Sequence, residues 1–221
     1  MISDISISPE VRAAAPELKV LVAEAAVSNP PTSDALWAEI TAECVRIAAE
    51  LPMEAVNKQP AIAATRRAYK ALGKEPNRYR PSAEALMRRC VKGVGLYRTS
   101  ALVDLVNLMS LKTGVSIGGF DLDRIEGPTL VLGVGREGEP YEAIGRGQLN
   151  IAGLPVFRDA IGGIGTPTSD NDRTKLSSDT SNILLTINLY HGKDVELLKN
   201  LAERLLITYA GASEIRFRLV E

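Results

Sequence analysis

The 221-residue sequence predicts one α+β domain spanning residues 1–221. Segments with apolar residues at helical spacing concentrate before about residue 114. After that point they mostly alternate or run continuously, as in strands. Such segregation favours α+β over a doubly wound sheet, which needs strict alternation of the two element types. An apolar content of 45% is enough for a proper core.

Residues 2–7 and 18–27 read as strands, and Pro30 and Pro31 end the second. Ser33 or Asp34 is suited to cap a helix running to Leu51, with Leu36, Ile40, Cys44, Ile47 and Leu51 on one stripe. Pro60 opens a helix over Ala61–Leu72, stopped at Gly73. Ser82 begins a third, with Ala83, Leu86, Met87 and Cys90 inward. Cys44 and Cys90 are the only cysteines; apolar neighbours and the lack of a CxxC pair predict buried free thiols and a cytoplasmic protein.

Thr99 and Ser100 are suited to cap a fourth helix that ends at Gly114. Leu102, Leu105, Leu108, Met109 and Leu111 make it apolar on most sides, so it should be buried. Ser100, Asp104 and Asn107 nevertheless share one face by their i, i+4, i+7 spacing. A buried carboxylate needs partners. That face is therefore either an internal hydrogen-bond network or the polar wall of a ligand pocket.

Strands follow at 129–134 and 140–145, then at 148–153 and 154–162, and at 182–190. Asp194–Tyr209 is an amphipathic helix ended by Gly211, and residues 214–221 close the chain as an alternating strand. No run of about 18 apolar residues is present to span a bilayer, and the N-terminus has no signal-peptide pattern.

The net charge of −1 conceals an asymmetry. Between Lys58 and Arg98 stand eleven basic residues against Glu75 and Glu84. Arg66, Arg67, Lys70, Lys74, Arg88, Arg89 and Lys92 are expected on the outer faces of the second and third helices, forming a positive surface for RNA phosphates. Ordinary solvated helix faces are the plainer reading of the same residues.

Gly133, Gly135 and Gly138 match G-x-G-x-x-G after a strand, but Pro140 and another strand follow where a dinucleotide site needs a helix. The segment is expected to be a hairpin turn with glycines at positive φ. The stretch from Gly162 to Thr174 is the best site candidate. Gly163 and Gly165 let a ligand approach the backbone, while Thr166, Ser169 and Asp170 offer hydrogen bonds. A solvent loop is the competing reading. Asp170 and Asp172 lack the further ligands a metal needs, so no metal or other cofactor is expected. His191 is the sole histidine and stands in a predicted exposed turn beside Gly192 and Lys193, unsuited to a triad or a zinc site.

Gly95, Val103, Asp104, Asn107, Leu111, Gly114, Phe120, Asp121, Leu122 and Asp123 stand in the order and spacing of a known family pattern. The chain resembles the B3/B4 domain of the phenylalanyl-tRNA synthetase beta subunit, with no gap from Gly95 to Asp123 and a likeness spanning about residues 80–190. The resemblance implies a layered β/β/α core over 80–190. Residues 1–79 and 191–221 would pack onto it. In that family the domain removes tyrosine wrongly attached to tRNA, and the loop equivalent to 162–174 lines its pocket. The family's pocket histidine falls on Gly118. Its pocket glutamate falls on Thr186, in a stretch that begins at Thr180. Backbone amides and the terminal hydroxyl of tRNA would then guide the attacking water. The resemblance implies a tRNA or aminoacyl-tRNA partner and an editing hydrolase acting in trans. The alternative is a non-catalytic pocket for a free amino acid or small metabolite.

Overall fold

The computed structural model describes residues 2–192 and 194–221. Its elements run β1 Asp4–Ile7, α1 Pro9–Ala14, β2 Lys19–Ala26, α2 Asp34–Glu50, α3 Pro60–Ala71, α4 Ser82–Val91 and α5 Ala101–Thr113. Then come β3 Ile117–Asp121, β4 Thr129–Val134, β5 Glu142–Ala143, β6 Gly147–Gln148, β7 Pro155–Arg158 and β8 Gly163–Gly165. The chain closes with β9 Asn182–Leu189, α6 Val195–Ala210 and β10 Ser213–Val220.

The layering is β/β/α. One sheet has the order β1-β4-β7-β8, the other β10-β2-β9-β3. β2 and β9 are central strands buried on both faces, and their side chains divide by parity. Leu21, Ala23, Leu185 and Ile187 face a helical layer and meet Leu102, Leu105, Leu198 and Leu205. Val20, Val22 and Leu184 face the other sheet and meet Leu130, Leu132 and Phe157. Each such leucine removed from water contributes about 2 kcal/mol. A smaller core joins α2, α3, α4 and α5 through Ile47, Ile62, Met87 and Leu111. Within it Cys44 and Cys90 are free thiols with sulfurs 2.7 Å apart.

The early helices and long strands lie within a residue or two of their expected bounds; two further elements appear, and two local expectations are corrected. Residues 9–14 form α1, where Ser8 accepts from the Val11 N–H and Pro9 starts the turn. Ile117–Asp121 is an edge strand against β9. Strand β4 does not form a hairpin with 140–145; it pairs with β1 in parallel and with β7, while β5 and β6 make their own ribbon. Of the G-x-G-x-x-G glycines only Gly138 has positive φ, at 69°. Gly135 is required for space, since a Cβ there would stand 1.9 Å from the Ile151 carbonyl oxygen.

No helix among the described residues is long and apolar enough to cross a membrane. His191 is exposed, and the Lys193 part of its predicted turn lies outside the described residues.

Candidate ligand cavity

A cavity of about 550 Å³ opens where α4 and α5 meet the β3 edge of the central sheet. Helix α5 contributes Val103, Val106, Asn107 and Ser110, preceded by Thr99; α4 contributes Ser82 and Leu86; β3 contributes Ile117 and Gly119. The opposite wall is Thr166, Ser169, Asp170, Lys175 and Leu176, with Ile144 and Arg146 from the β5–β6 ribbon. The lining combines aliphatic side chains (Leu86, Val103, Val106, Ile117, Ile144, Leu176), neutral polar groups, the Asp170 carboxyl and the cations Arg146 and Lys175.

The glycine-rich segment is more ordered than a loop. Gly163–Gly165 is strand β8, paired with β7, and residues 172–174 form a single 3-10 turn. Between them Thr166 Oγ1 accepts from the Thr168 and Ser169 N–H groups and donates to the Ser169 carbonyl. Tyr141 donates to that same carbonyl at 2.7 Å. These bonds fix the wall that carries Asp170. Its Oδ2 accepts from the Gly119 N–H at 3.4 Å. Enclosure by protein pushes the Asp170 carboxyl up to about 7, and only that one hydrogen bond opposes the shift.

Four of the residues expected in a pocket line this cavity: Asn107, Thr166, Ser169 and Asp170. The others are held elsewhere. Asp104 is fully buried; its Oδ2 accepts from the Thr32 hydroxyl and from the Thr99 N–H at 3.0 Å. Burial raises its carboxyl above the usual range. Ser100 makes no side-chain cap. Asn29 Oδ1 does that work by accepting from the Leu102 N–H at 2.9 Å. The shared Ser100–Asp104–Asn107 face is thus divided: its first turn docks onto the segment before α2, and Asn107 alone reaches the cavity.

Gly118 and Thr186 pair in register and face the inter-sheet core. A Cβ on Gly118 would lie 2.6 Å from Phe120 Cζ and 2.7 Å from Thr186 Oγ1, so the Phe120 ring occupies that space. Gly165 seats the same ring, and Gly163 packs beneath Tyr141. Thr180 donates to Asp121 at 2.9 Å. None of these five lines the cavity.

The basic helices also differ from expectation. Glu84 is fully buried and binds Arg66 at 2.8 Å and Arg88 at 2.9 Å. Lys74 is buried, donates to the Asn150 and Ala152 carbonyls, and covers the Tyr79 ring. Arg66, Lys74 and Arg88 are therefore structural ion pairs and donors, because long side chains bury their stems and reach internal acceptors. Arg67, Lys70 and Lys92 are exposed, and no residue of α3 lines the cavity. Arg89 continues the Ser82–Leu86 stripe, donates to the Gly95 carbonyl at 2.8 Å and stacks on Tyr97.

Sequence reasoning missed Arg146 and Lys175, the two cations on the cavity itself. Lys175 pairs with Asp172 at 2.8 Å, and Asp172 itself does not line the cavity. Arg146 is exposed and has no ion-pair partner among the described residues. No signal in a lone basic residue between two glycines announces this placement; only the fold brings residues 144–146 against α5.

Comparison with known proteins follows the geometry. Residues 64–203 match the family described as B3/4 domain. The phenylalanine–tRNA ligase beta subunit of Oleidesulfovibrio alaskensis is 32% identical over 97 residues, covering 40% of this chain and 12% of that subunit. An N-terminal fragment of the phenylalanyl-tRNA synthetase beta subunit from Pyrococcus horikoshii aligns with a TM-score of 0.46 at 12% identity, over 99% of this chain and 50% of the fragment. The chain thus spans about an eighth of the curated relative and half of the solved fragment.

Proposed function

This chain belongs to the B3/4 domain family, and from that premise we propose that it binds the aminoacylated end of a tRNA and hydrolyses the ester. One observation carries this reading: a single cavity is lined by aliphatic side chains, the Asp170 carboxyl, and the cations Arg146 and Lys175. An aminoacyl ester presents the matching set, an apolar side chain, an ammonium and a chain of phosphates. The family membership and the relative named as a tRNA ligase subunit support the same class of partner.

Arg146, Lys175 and Arg89 would meet the phosphates near the terminal nucleotide, and Arg67, Lys70 and Lys92 would act only as distant charges. Among the described residues, those lining the cavity include no histidine or cysteine. Water attack would therefore rely on neutral donors such as Thr99, Asn107 and Ser110 and on the terminal ribose hydroxyl of the tRNA itself. Two free thiols in one core fit a cytoplasmic setting.

The test is ester hydrolysis. The protein is incubated with tRNAs carrying a panel of non-cognate amino acids, and loss of the ester is followed. Acceleration for a subset with aliphatic side chains is expected. Background rates throughout would contradict the hydrolytic step and favour the second reading, a non-catalytic pocket for a free amino acid, which the aliphatic lining also accommodates.

A further inference from the structure

We propose that Asp170 receives the ammonium of the bound acyl group, and that this group carries an aliphatic side chain; the assignment rests on reading the cavity as a pocket for an aminoacyl ester. Among the described residues Asp170 is the one carboxylate lining the cavity. Its Oδ2 accepts a single long hydrogen bond from the Gly119 N–H, and its Oδ1 has no hydrogen-bond partner among the described residues.

Every element around it leaves the charge unanswered. From α5 come Asn107 and Ser110, from α4 Ser82, all uncharged. The titratable neighbour is Tyr141, kept as a neutral phenol by burial. Lys175 is engaged with Asp172, and neither it nor Arg146 forms an ion pair with Asp170. A carboxylate so placed costs free energy unless a cation joins it. Its carboxyl is accordingly pushed up to about 7, near the range in which an amino ester holds its proton.

Two glycines let its neighbours pack close. A Cβ on Gly165 would stand 2.8 Å from Asp170 Oδ1. A Cβ on Gly119 would stand 3.2 Å from Leu176 and 3.3 Å from Val106. Those two aliphatic groups thus converge on the strand that donates to Asp170, within reach of the α-substituent of an acyl group whose ammonium rests on the carboxylate. Nothing acidic or imidazole-bearing lines the remaining wall to read a phenol.

Paired probes test this. L-leucinamide and L-valinamide are compared with 4-methylpentanamide and 3-methylbutanamide, which lack only the amino group. Binding is measured by calorimetry on the whole chain at pH 7.5. Each amine is expected to bind the wild type about tenfold more tightly than its twin. The preference should vanish in Asp170→Asn. In the wild type it should also fade at pH 5.5, where the carboxyl is protonated, so a variant that fails to fold does not block the test. No binding of either amine, equal binding of the twins, or a preference that survives in Asp170→Asn would overturn the assignment. If the amine preference is found without tRNA affinity, the tRNA reading fails and the Asp170 assignment stands. If tRNA binds with no amine preference, the Asp170 assignment alone fails.

Discussion

Asp104 and Asn107 stand three residues apart on α5 and do separate work. Asp104 binds the Thr32 hydroxyl and the Thr99 N–H inside the protein, and Asn107 lines the cavity. Removing the first should therefore unfold, and removing the second should not. Asp104→Ala is expected to cost about 2–4 kcal/mol in urea unfolding, since it strands the buried Thr32 hydroxyl and the half-buried Thr99 N–H. Asn107→Ala should stay within about 0.5 kcal/mol of the parent and weaken ligand binding instead. Equal losses of stability would contradict the division.

Glu84 holds Arg66 and Arg88 from a site with no solvent exposure. Breaking a buried pair leaves uncompensated charge. Glu84→Gln should lose about 3 kcal/mol of stability, and Arg88→Gln less, because Arg66 still satisfies the carboxylate. Neither Arg66→Gln nor Arg88→Gln should alter the salt dependence of RNA binding, measured below the melting transition.

The carboxyl of Asp170 titrates near 7 in the folded chain, against about 3.9 when unfolded. The native state therefore binds the extra proton between those values, and stability falls as pH rises from 4 to 7. Asp170→Asn removes this component. Between pH 5 and pH 8 the wild type should lose about 2 kcal/mol more than the variant, partial contact with solvent through the cavity holding the effect below the full shift. Parallel stability curves for the two proteins would show that the carboxyl is not perturbed.

Thr186 keeps an enclosed hydroxyl with no partner in the inter-sheet core. Valine has the same shape without that oxygen. Thr186→Val should raise stability by about 1 kcal/mol. Gly118→Ala, one strand away, should lower it by about 1–3 kcal/mol, because its Cβ would press on the fully buried Phe120 ring. Both effects are read in thermal melts, and opposite signs would refute the packing described here.

Long periodic elements were legible because burial repeats at their own period: α2, α4, α5, α6, β2 and β9 each carry an apolar stripe or run. Strands β3 and β8 were not, because Gly118, Gly119, Gly163 and Gly165 have no side chain to signal a period; their absence makes room for Phe120, Tyr141 and Asp170. Helix periodicity placed Asp104 beside Asn107 but could not say that Thr32 would claim the carboxylate from 72 residues away. Charge counting found the basic block and could not see that Glu84 would draw Arg66 and Arg88 inward. The cavity wall at 166–170 was visible in composition. Arg146 and Lys175 were not, since their role depends on tertiary contact between the β5–β6 ribbon, β3 and α5.

The salt dependence of tRNA affinity tests the central claim most directly. The parent is compared with a triple variant carrying Arg89→Gln, Arg146→Gln and Lys175→Gln, and with an Arg67→Gln, Lys70→Gln control. The log–log slope should fall by roughly two to three units in the triple variant and by under one in the control. A parent whose affinity is indifferent to salt, or a triple variant with the parental slope, would contradict an acceptor end held at this cavity.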